Sequence, residues 1–201
     1  MPGTIIPNAA WRLTWALASL KDEQDRITVD GLMEHVRPPS EADLALLEAL
    51  PYDEEELKRI HGISGFVRGL TGTDLKRKHF FEPTCTICGL SSGYQGEGSK
   101  TVLPAAAGAK VDFRLVPDLT PELVRRLVRE HLDRRGFSDI ELTPHHGEGP
   151  SRWSADTLVA RASVLACRDA YGVEPVVYPL MAGSGPLAGE ALEAMGPNID
   201  G

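Results

Sequence analysis

Arg114 ends a segment of alternating side chains, and its planar guanidinium is the group best suited to grip a carboxylate through two parallel hydrogen bonds. In residues 109–116, Val111, Phe113 and Leu115 share one face while Lys110, Asp112 and Arg114 share the other. That is the pattern of a strand with one buried and one wet side. It also admits a plainer role for Arg114, a surface ion pair with Asp112. Upstream, Gly93, Gly96 and Gly98 can take positive φ and bring backbone N–H groups close to a guest, Lys100 and Thr101 add a cation and a hydroxyl, and Pro104 interrupts ladder pairing. A glycine-rich polar loop leading into such a strand is arranged to present groups to a ligand.

Other arrangements carry less. Cys85 and Cys88 form a C-x-x-C, but the segment alternates as a strand, so residues three apart point to opposite faces and read as small buried hydrophobes rather than a zinc or redox pair. There is one such pair, and a four-ligand zinc site needs a second half. His145 and His146 are adjacent on an expected strand and point apart, so with Glu148 they do not chelate one ion. Ser151, Ser154 and Ser184 lack a nucleophile elbow, since residues 182–186 read Ala-Gly-Ser-Gly-Pro. The glycines at 93, 96 and 98 precede a strand and not a helix, which fails the dinucleotide pattern. Glu54, Glu55 and Glu56 open an acidic helix and read as solvated surface charge.

The 201 residues allow one large or two small domains, and 42% hydrophobic residues suffice for a core. A formal net charge of −8, with cations interleaved among acids, argues against a nucleic-acid surface. No run approaches the roughly 20 apolar residues of a membrane span, and the first residues do not read as a signal peptide. Three cysteines cannot all pair within the chain, which suits a reducing, cytoplasmic setting.

The elements that must position these groups follow from period and punctuation. A helix is predicted over 9–20, with Leu13, Leu17 and Leu20 on one stripe, Trp11 and Trp15 beside it, and Asn8 as N-cap. Residues 22–79 read as a loop-rich acidic insertion with short helices over 41–49 and 53–60, followed by a passage marked by Gly62, Gly65, Gly69 and Gly72. Strands are expected over 83–91, 103–116 and 139–146. Between the last two lies a helix over 120–135, with Thr120 as cap, Pro121 at its first position and Gly136 closing it. Asp156 or Ser154 caps a helix running to Tyr171, residues 174–180 read as a buried strand, and a short helix is expected at 188–195. This order gives an α+β fold, a two-layer ferredoxin-like sandwich with helices on one face of an antiparallel sheet, plus a C-terminal helix-strand extension.

The spacing Lys-Thr-Val-Leu-Pro, then Phe-Arg-Leu-Val-Pro-Asp, then Thr-Pro-Glu opening a helix resembles the lid or dimerisation domain of the zinc aminoacylase and dipeptidase family, in particular its carnosinase-like dipeptidase branch. Residues 7–27 resemble the first lid helix and its exit, and Tyr-Pro-Leu-Met-Ala-Gly-Ser-Gly-Pro resembles the substrate loop that starts the second catalytic half. The resemblance implies a four-stranded antiparallel sheet, a lid over 1–153 and a fragment of the catalytic domain over 154–201. It implies a homodimer joined through the lid, and a peptide or N-acyl amino acid as substrate. In the parent enzyme it implies two divalent metal ions, zinc or manganese.

The resemblance also implies roles residue by residue. Arg114 corresponds to a binder of the substrate carboxylate, Thr101 to a lid threonine facing the substrate, and Gly183 and Ser184 to a loop offering a backbone N–H and a hydroxyl; the plainer reading of these last two is a Gly-Ser turn. The family's ligand set begins with His-x-Asp and includes a bridging Asp, a Glu-Glu pair and a late His, an arrangement this sequence lacks, and its upstream lid histidine has no counterpart here. The expectation is therefore a substrate-binding and dimerisation part with no catalytic residue and no metal ligand of its own, inactive as an isolated fragment. Two alternatives stand beside it: a non-catalytic homodimerisation module, and an unrelated small-ligand-binding α+β domain.

Overall fold

The computed structural model describes residues 3–145 and 147–181. Its helices are α1 (Ala9–Ala18), α2 (Glu41–Ala49), α3 (Glu54–His61), α4 (Gly72–Phe81), α5 (Pro121–Arg134) and α6 (Leu158–Tyr171), and its strands are β1 (Thr86–Ser92) and β2 (Ala107–Asp112). The fold class is α+β. The chain divides into two compact units, one of residues through 35, 83–115 and 120–147, the other of 36–82, 116–119 and 148 onward.

In the first unit, Asn8 starts α1 by accepting the N–H groups of Ala10 at 2.8 Å and Trp11 at 3.2 Å, which satisfies two of the donors a helix start leaves unpaired. α1 packs on β2. Thr120 caps α5 by accepting the Leu123 N–H at 3.2 Å, and Gly136 closes it at φ 77°, a conformation that favours glycine. Both helix ends lie where the sequence places them. α5 buries Val124, Leu127, Val128 and Leu132, the apolar stripe of its 3.6-residue period. Arg12 ties α1 to the chain beyond α5, its Nε 3.1 Å from Asp139 and its guanidinium 4.5 Å above the Phe137 ring.

β1 and β2 pair antiparallel from Thr86 opposite Asp112 to Ser92 opposite Ala107, with a bulge between Ile87 and Gly89. Among the described residues they are the whole sheet. The strand expected at 139–146 is not formed over 139–145; the chain there is tied back to α5, the Phe137 N–H bonding the Leu132 carbonyl at 2.8 Å and Arg129 donating to the carbonyls of Phe137 and Ile140.

The second unit is built around Leu47, Leu50, Phe80 and Phe81, with Leu44, Tyr52 and Leu180 against them. Ser40 and Asp43 close a capping box at the start of α2. Asp53 caps α3 by accepting the Glu56 N–H at 2.9 Å. α4 is a departure from the expected loop, since Gly72 reads as punctuation and the helix has no side-chain cap. Tertiary contacts hold it: Leu75, Phe80 and Phe81 are buried, and Lys76 Nζ donates to the Leu47 and Leu50 carbonyls at 2.8 Å each, satisfying the C-terminal end of α2. α6 is capped by Thr157, whose hydroxyl accepts the Ala160 N–H, rather than by Asp156 or Ser154. The segment 174–180 is not a strand; Glu174 pairs with Arg168 at 2.6 Å, Tyr178 meets the Phe80 ring at 5.9 Å, and Leu180 joins the core. Side chains, not a ladder, hold it.

Candidate substrate-carboxylate site

Arg114 lies two residues past the end of β2. Its N–H donates to Thr84 Oγ1 at 3.1 Å and its carbonyl accepts the Thr84 N–H at 3.1 Å, so its backbone is clamped where the ladder stops. The side chain is 60% exposed, and Nε donates to Asp112 Oδ2 at 3.1 Å. The structure therefore contains both features of the sequence reading, a solvent-accessible guanidinium and the Asp112 pair. An exposed pair of this kind is worth about 0–1 kcal/mol, which an incoming carboxylate can displace.

Thr101 is exposed in the loop joining β1 to β2. That loop extends the far end of the hairpin, since a methyl on Gly93 would meet Pro104 at 3.4 Å and Val102 at 3.9 Å. At roughly 3.3 Å per residue, Ala107 to Arg114 spans on the order of 20 Å. Thr101 and Arg114 are thus at opposite ends of one hairpin, and the fold does not bring them together. Gly183 and Ser184 lie outside the described residues, as do His146 and the helix expected at 188–195.

The glycine loop is organised differently from the sequence expectation. Gly96 has an ordinary reason to lack a side chain: a Cβ there would lie 2.5 Å from Tyr94 Oη. The Tyr94 ring folds across Gly96, its hydroxyl donates to the Glu97 carbonyl at 2.9 Å, and Lys100 Nζ sits 5.8 Å from the ring centre. Gln95 closes the other side onto the Ser92 carbonyl at 2.7 Å. The loop is shaped by its own aromatic, and the signal in the sequence is the tyrosine two residues before a glycine.

Cys85 is buried, which pushes its thiol up to about 11, while Cys88 at the bulge is exposed. In α3, Glu55 pairs with Lys58 at 2.7 Å, Glu56 with Arg59 at 2.6 Å, and Glu54 accepts the Gly72 N–H at 2.6 Å, a solvated helix start as expected. Among the described residues no group of three or more His, Cys, Asp or Glu side chains converges in a way that could hold a metal ion. The donors among the described residues do not by themselves make up a divalent metal centre. Two polar clusters have no forewarning in the sequence: His131 with Asp30, and Asp43 with Arg152 at 2.5 Å.

Residues 2–139 match the model of a protein family described as a peptidase dimerisation domain, and the chain belongs to that family. It is 29% identical to a Cys-Gly metallodipeptidase of Saccharomyces cerevisiae over 183 residues, covering 86% of this chain and 37% of that protein. To a Beta-Ala-His dipeptidase of Rattus norvegicus it is 28% identical over 182 residues, covering 86% and 36%. Among solved structures it superposes on a metallo-carboxypeptidase from Sulfolobus solfataricus with a TM-score of 0.85 and 33% identity, covering 92% of this chain and 48% of that one. It superposes on human carnosine dipeptidase with a TM-score of 0.77 and 26% identity, covering 92% and 40%. The chain spans less than half the length of each of these proteins.

Proposed function

We propose that this chain is the lid, dimerisation and substrate-carboxylate-binding part of a metal-dependent dipeptidase or related amide hydrolase. The observation that carries the reading is the accessible Arg114 guanidinium on a clamped backbone, inside a segment matching a peptidase dimerisation domain. Arg114 takes the substrate's C-terminal carboxylate, Thr101 meets the substrate from the loop, and Gly183 with Ser184 completes the grip. Residues 1–153 are the lid and 154–201 belong to the catalytic domain. Peptides or N-acyl amino acids fit the names of the relatives, and a cytoplasmic setting fits three unpaired cysteines.

The separation of Thr101 from Arg114 supports a homodimer. Within one protomer the two ends of the hairpin cannot hold one small substrate, whereas paired copies can offer Arg114 of one and Thr101 of the other to the same cleft. Two divalent metal ions, zinc or manganese, supply the activated water in the whole enzyme; their ligands are not among the residues described here, so this chain alone binds and orients.

The test pairs this chain with metal-binding catalytic segments in one polypeptide and compares it with its Arg114→Ala variant on dipeptides and on the same dipeptides amidated at the C-terminus. A selective rise in KM for the free carboxylate is expected. Equal effects on both substrates would remove Arg114 from the site. For the isolated chain, no stoichiometric zinc or manganese after dialysis and no dipeptide hydrolysis are expected; turnover with tight metal would overturn the division of labour. A non-catalytic homodimerisation module is the second reading, favoured by the absence of a converging ligand set among the described residues; it predicts no effect of the catalytic segments.

A further inference from the structure

We propose that Tyr94 is a positioning residue for Thr101, its ring ordering the loop between β1 and β2 so that the Thr101 hydroxyl meets substrate from one fixed place. The inference rests on the reading of Thr101 as a substrate contact and adds the side chain through which that contact is made ready. A loop of residues 93–106 with glycines at 93, 96 and 98 has a composition that favours many conformations. A hydroxyl carried on such a loop would have to be ordered at the moment of binding, at a cost in affinity.

The fold closes this loop in steps. At its base Ser92 Oγ donates to the Ala106 carbonyl at 3.0 Å, beside the last ladder pair of Ser92 with Ala107. Next, Gly93 at φ 65° lies against Pro104 and Val102, which are 3.4 and 3.9 Å from where a methyl would stand. Farther out the Tyr94 hydroxyl donates to the Glu97 carbonyl at 2.9 Å, and Lys100 Nζ stands 5.8 Å from the ring centre, within reach of a cation–π contact. Tyr94 is 45% exposed, so burial in a core does not explain the ring; the groups it engages lie in the loop itself.

Thr101 sits between two of these anchors. Lys100 before it is held to Tyr94, and Val102 after it to Gly93, so its backbone is fixed by both neighbours in sequence. Its own side chain is exposed, and among the described residues its hydroxyl has no partner. The hydroxyl is therefore not consumed in capping a turn. An ordered backbone under an unengaged donor and acceptor is what binding without a large ordering cost requires, and Tyr94 supplies the anchor on one of the two sides.

The experiment has two arms: nuclear magnetic resonance of the 201-residue chain, and dipeptide hydrolysis by the polypeptide that joins this chain to metal-binding catalytic segments. In the chain, Tyr94→Ala is expected to lower the amide order parameters of Lys100 and Thr101 and to leave those of α5 unchanged. Tyr94→Phe, which keeps the ring under Lys100, is expected to preserve them. In the joined polypeptide, Thr101→Val and Tyr94→Ala are each expected to raise KM about 10-fold with kcat changed by less than about 2-fold. Tyr94→Phe should bring KM back to within about 3-fold of the wild type. The double variant Tyr94→Ala/Thr101→Val is expected to be no worse than Thr101→Val alone, because a ring that acts through Thr101 then has nothing left to position. Additive effects in the double variant, or an unchanged order parameter at Thr101 in Tyr94→Ala, would overturn the positioning role and leave the reading of Thr101 standing. A wild-type KM in Thr101→Val would overturn that reading and the positioning role together.

Discussion

The imidazole of His131 is held to Asp30 by the backbone of that residue: Nδ1 accepts the Asp30 N–H at 3.1 Å, and Nε2 lies 2.8 Å from the Ser19 carbonyl, to which it donates. This bond pattern requires the neutral ring. His131 is fully buried in α5, and Ser19 is the residue that ends α1, so one side chain joins the two helices of the first unit to the turn before residue 35. Around it stand the Asp30 carboxylate at 3.3 Å, with Arg135 at 2.6 Å and Arg134 at 3.4 Å from the same carboxylate oxygen.

Acid should loosen this unit before it touches carboxylates. Burial, then the charge of Arg135, lowers the His131 imidazole below its ordinary value, against the raising effect of Ser19 and Asp30. A base whose value is depressed on folding is neutral in the native state and takes up a proton on unfolding. Its contribution is therefore full above the ordinary value near 6.5 and is lost as pH falls below it. Urea midpoints at pH 7.5 and 5.5 measure this, and His131→Gln is expected to flatten the difference. His79 is also lowered by burial and acts with the same sign, so His79→Gln is the necessary control. An undiminished pH slope in His131→Gln would assign the effect elsewhere. Replacement by Ala, which strands the Asp30 N–H and the Ser19 carbonyl, is expected to lower stability by about 2–4 kcal/mol.

In the second unit, Arg152 meets Asp43 with the two side chains only 17% and 10% exposed. Burial works to raise the Asp43 carboxyl, but hydrogen bonds from Arg152 and Ser40 outweigh it and hold it below the ordinary range. Arg152→Ala leaves that carboxylate to Ser40 alone and is expected to destabilise by about 3 kcal/mol. The charge-conserving Arg152→Lys should recover part of the loss. A denaturant midpoint unmoved by Arg152→Ala would show that the pair is dispensable.

Arg114→Ala is expected to change unfolding free energy by less than about 1 kcal/mol, as an exposed pair with Asp112 implies. Chemical denaturation of the isolated chain measures it. A loss of several kcal/mol would make Arg114 a structural residue and withdraw it from the carboxylate site.

Gly96→Ala tests the loop. A Cβ at 2.5 Å from Tyr94 Oη must displace the ring, and with it the bond to the Glu97 carbonyl. Global stability should move by less than about 1 kcal/mol, since a flexible side chain on the surface can yield. Limited proteolysis within residues 93–106 should accelerate several-fold, and Tyr94→Ala should reproduce the effect. Unchanged cleavage in both variants would show that the ring does not shape the loop.

How much of this was legible beforehand depends on distance along the chain. Asn8, Ser40, Asp53 and Thr120 mark helix starts because a cap acts on N–H groups two or three residues away, and Gly136 marks an end because its φ is local. α4 was not legible, since Gly72 reads as a break and the helix is held by the buried Phe80 and Phe81 and by Lys76 on the carbonyls of α2. The strand expected at 139–146 rests on alternation alone, which says nothing of whether a pairing partner lies alongside, and over 139–145 no strand forms.

The α+β class and the caps at Asn8 and Thr120 follow from periods and short spacings, and the motif around residues 100–121 carries the family likeness. It takes the folded chain to place Thr101 and Arg114 at opposite ends of one hairpin, to lay the Tyr94 ring over Gly96, and to bring both ring nitrogens of His131 onto backbone. Those outcomes depend on which segments meet across the chain, and a contact between residues about 100 positions apart leaves no period to read.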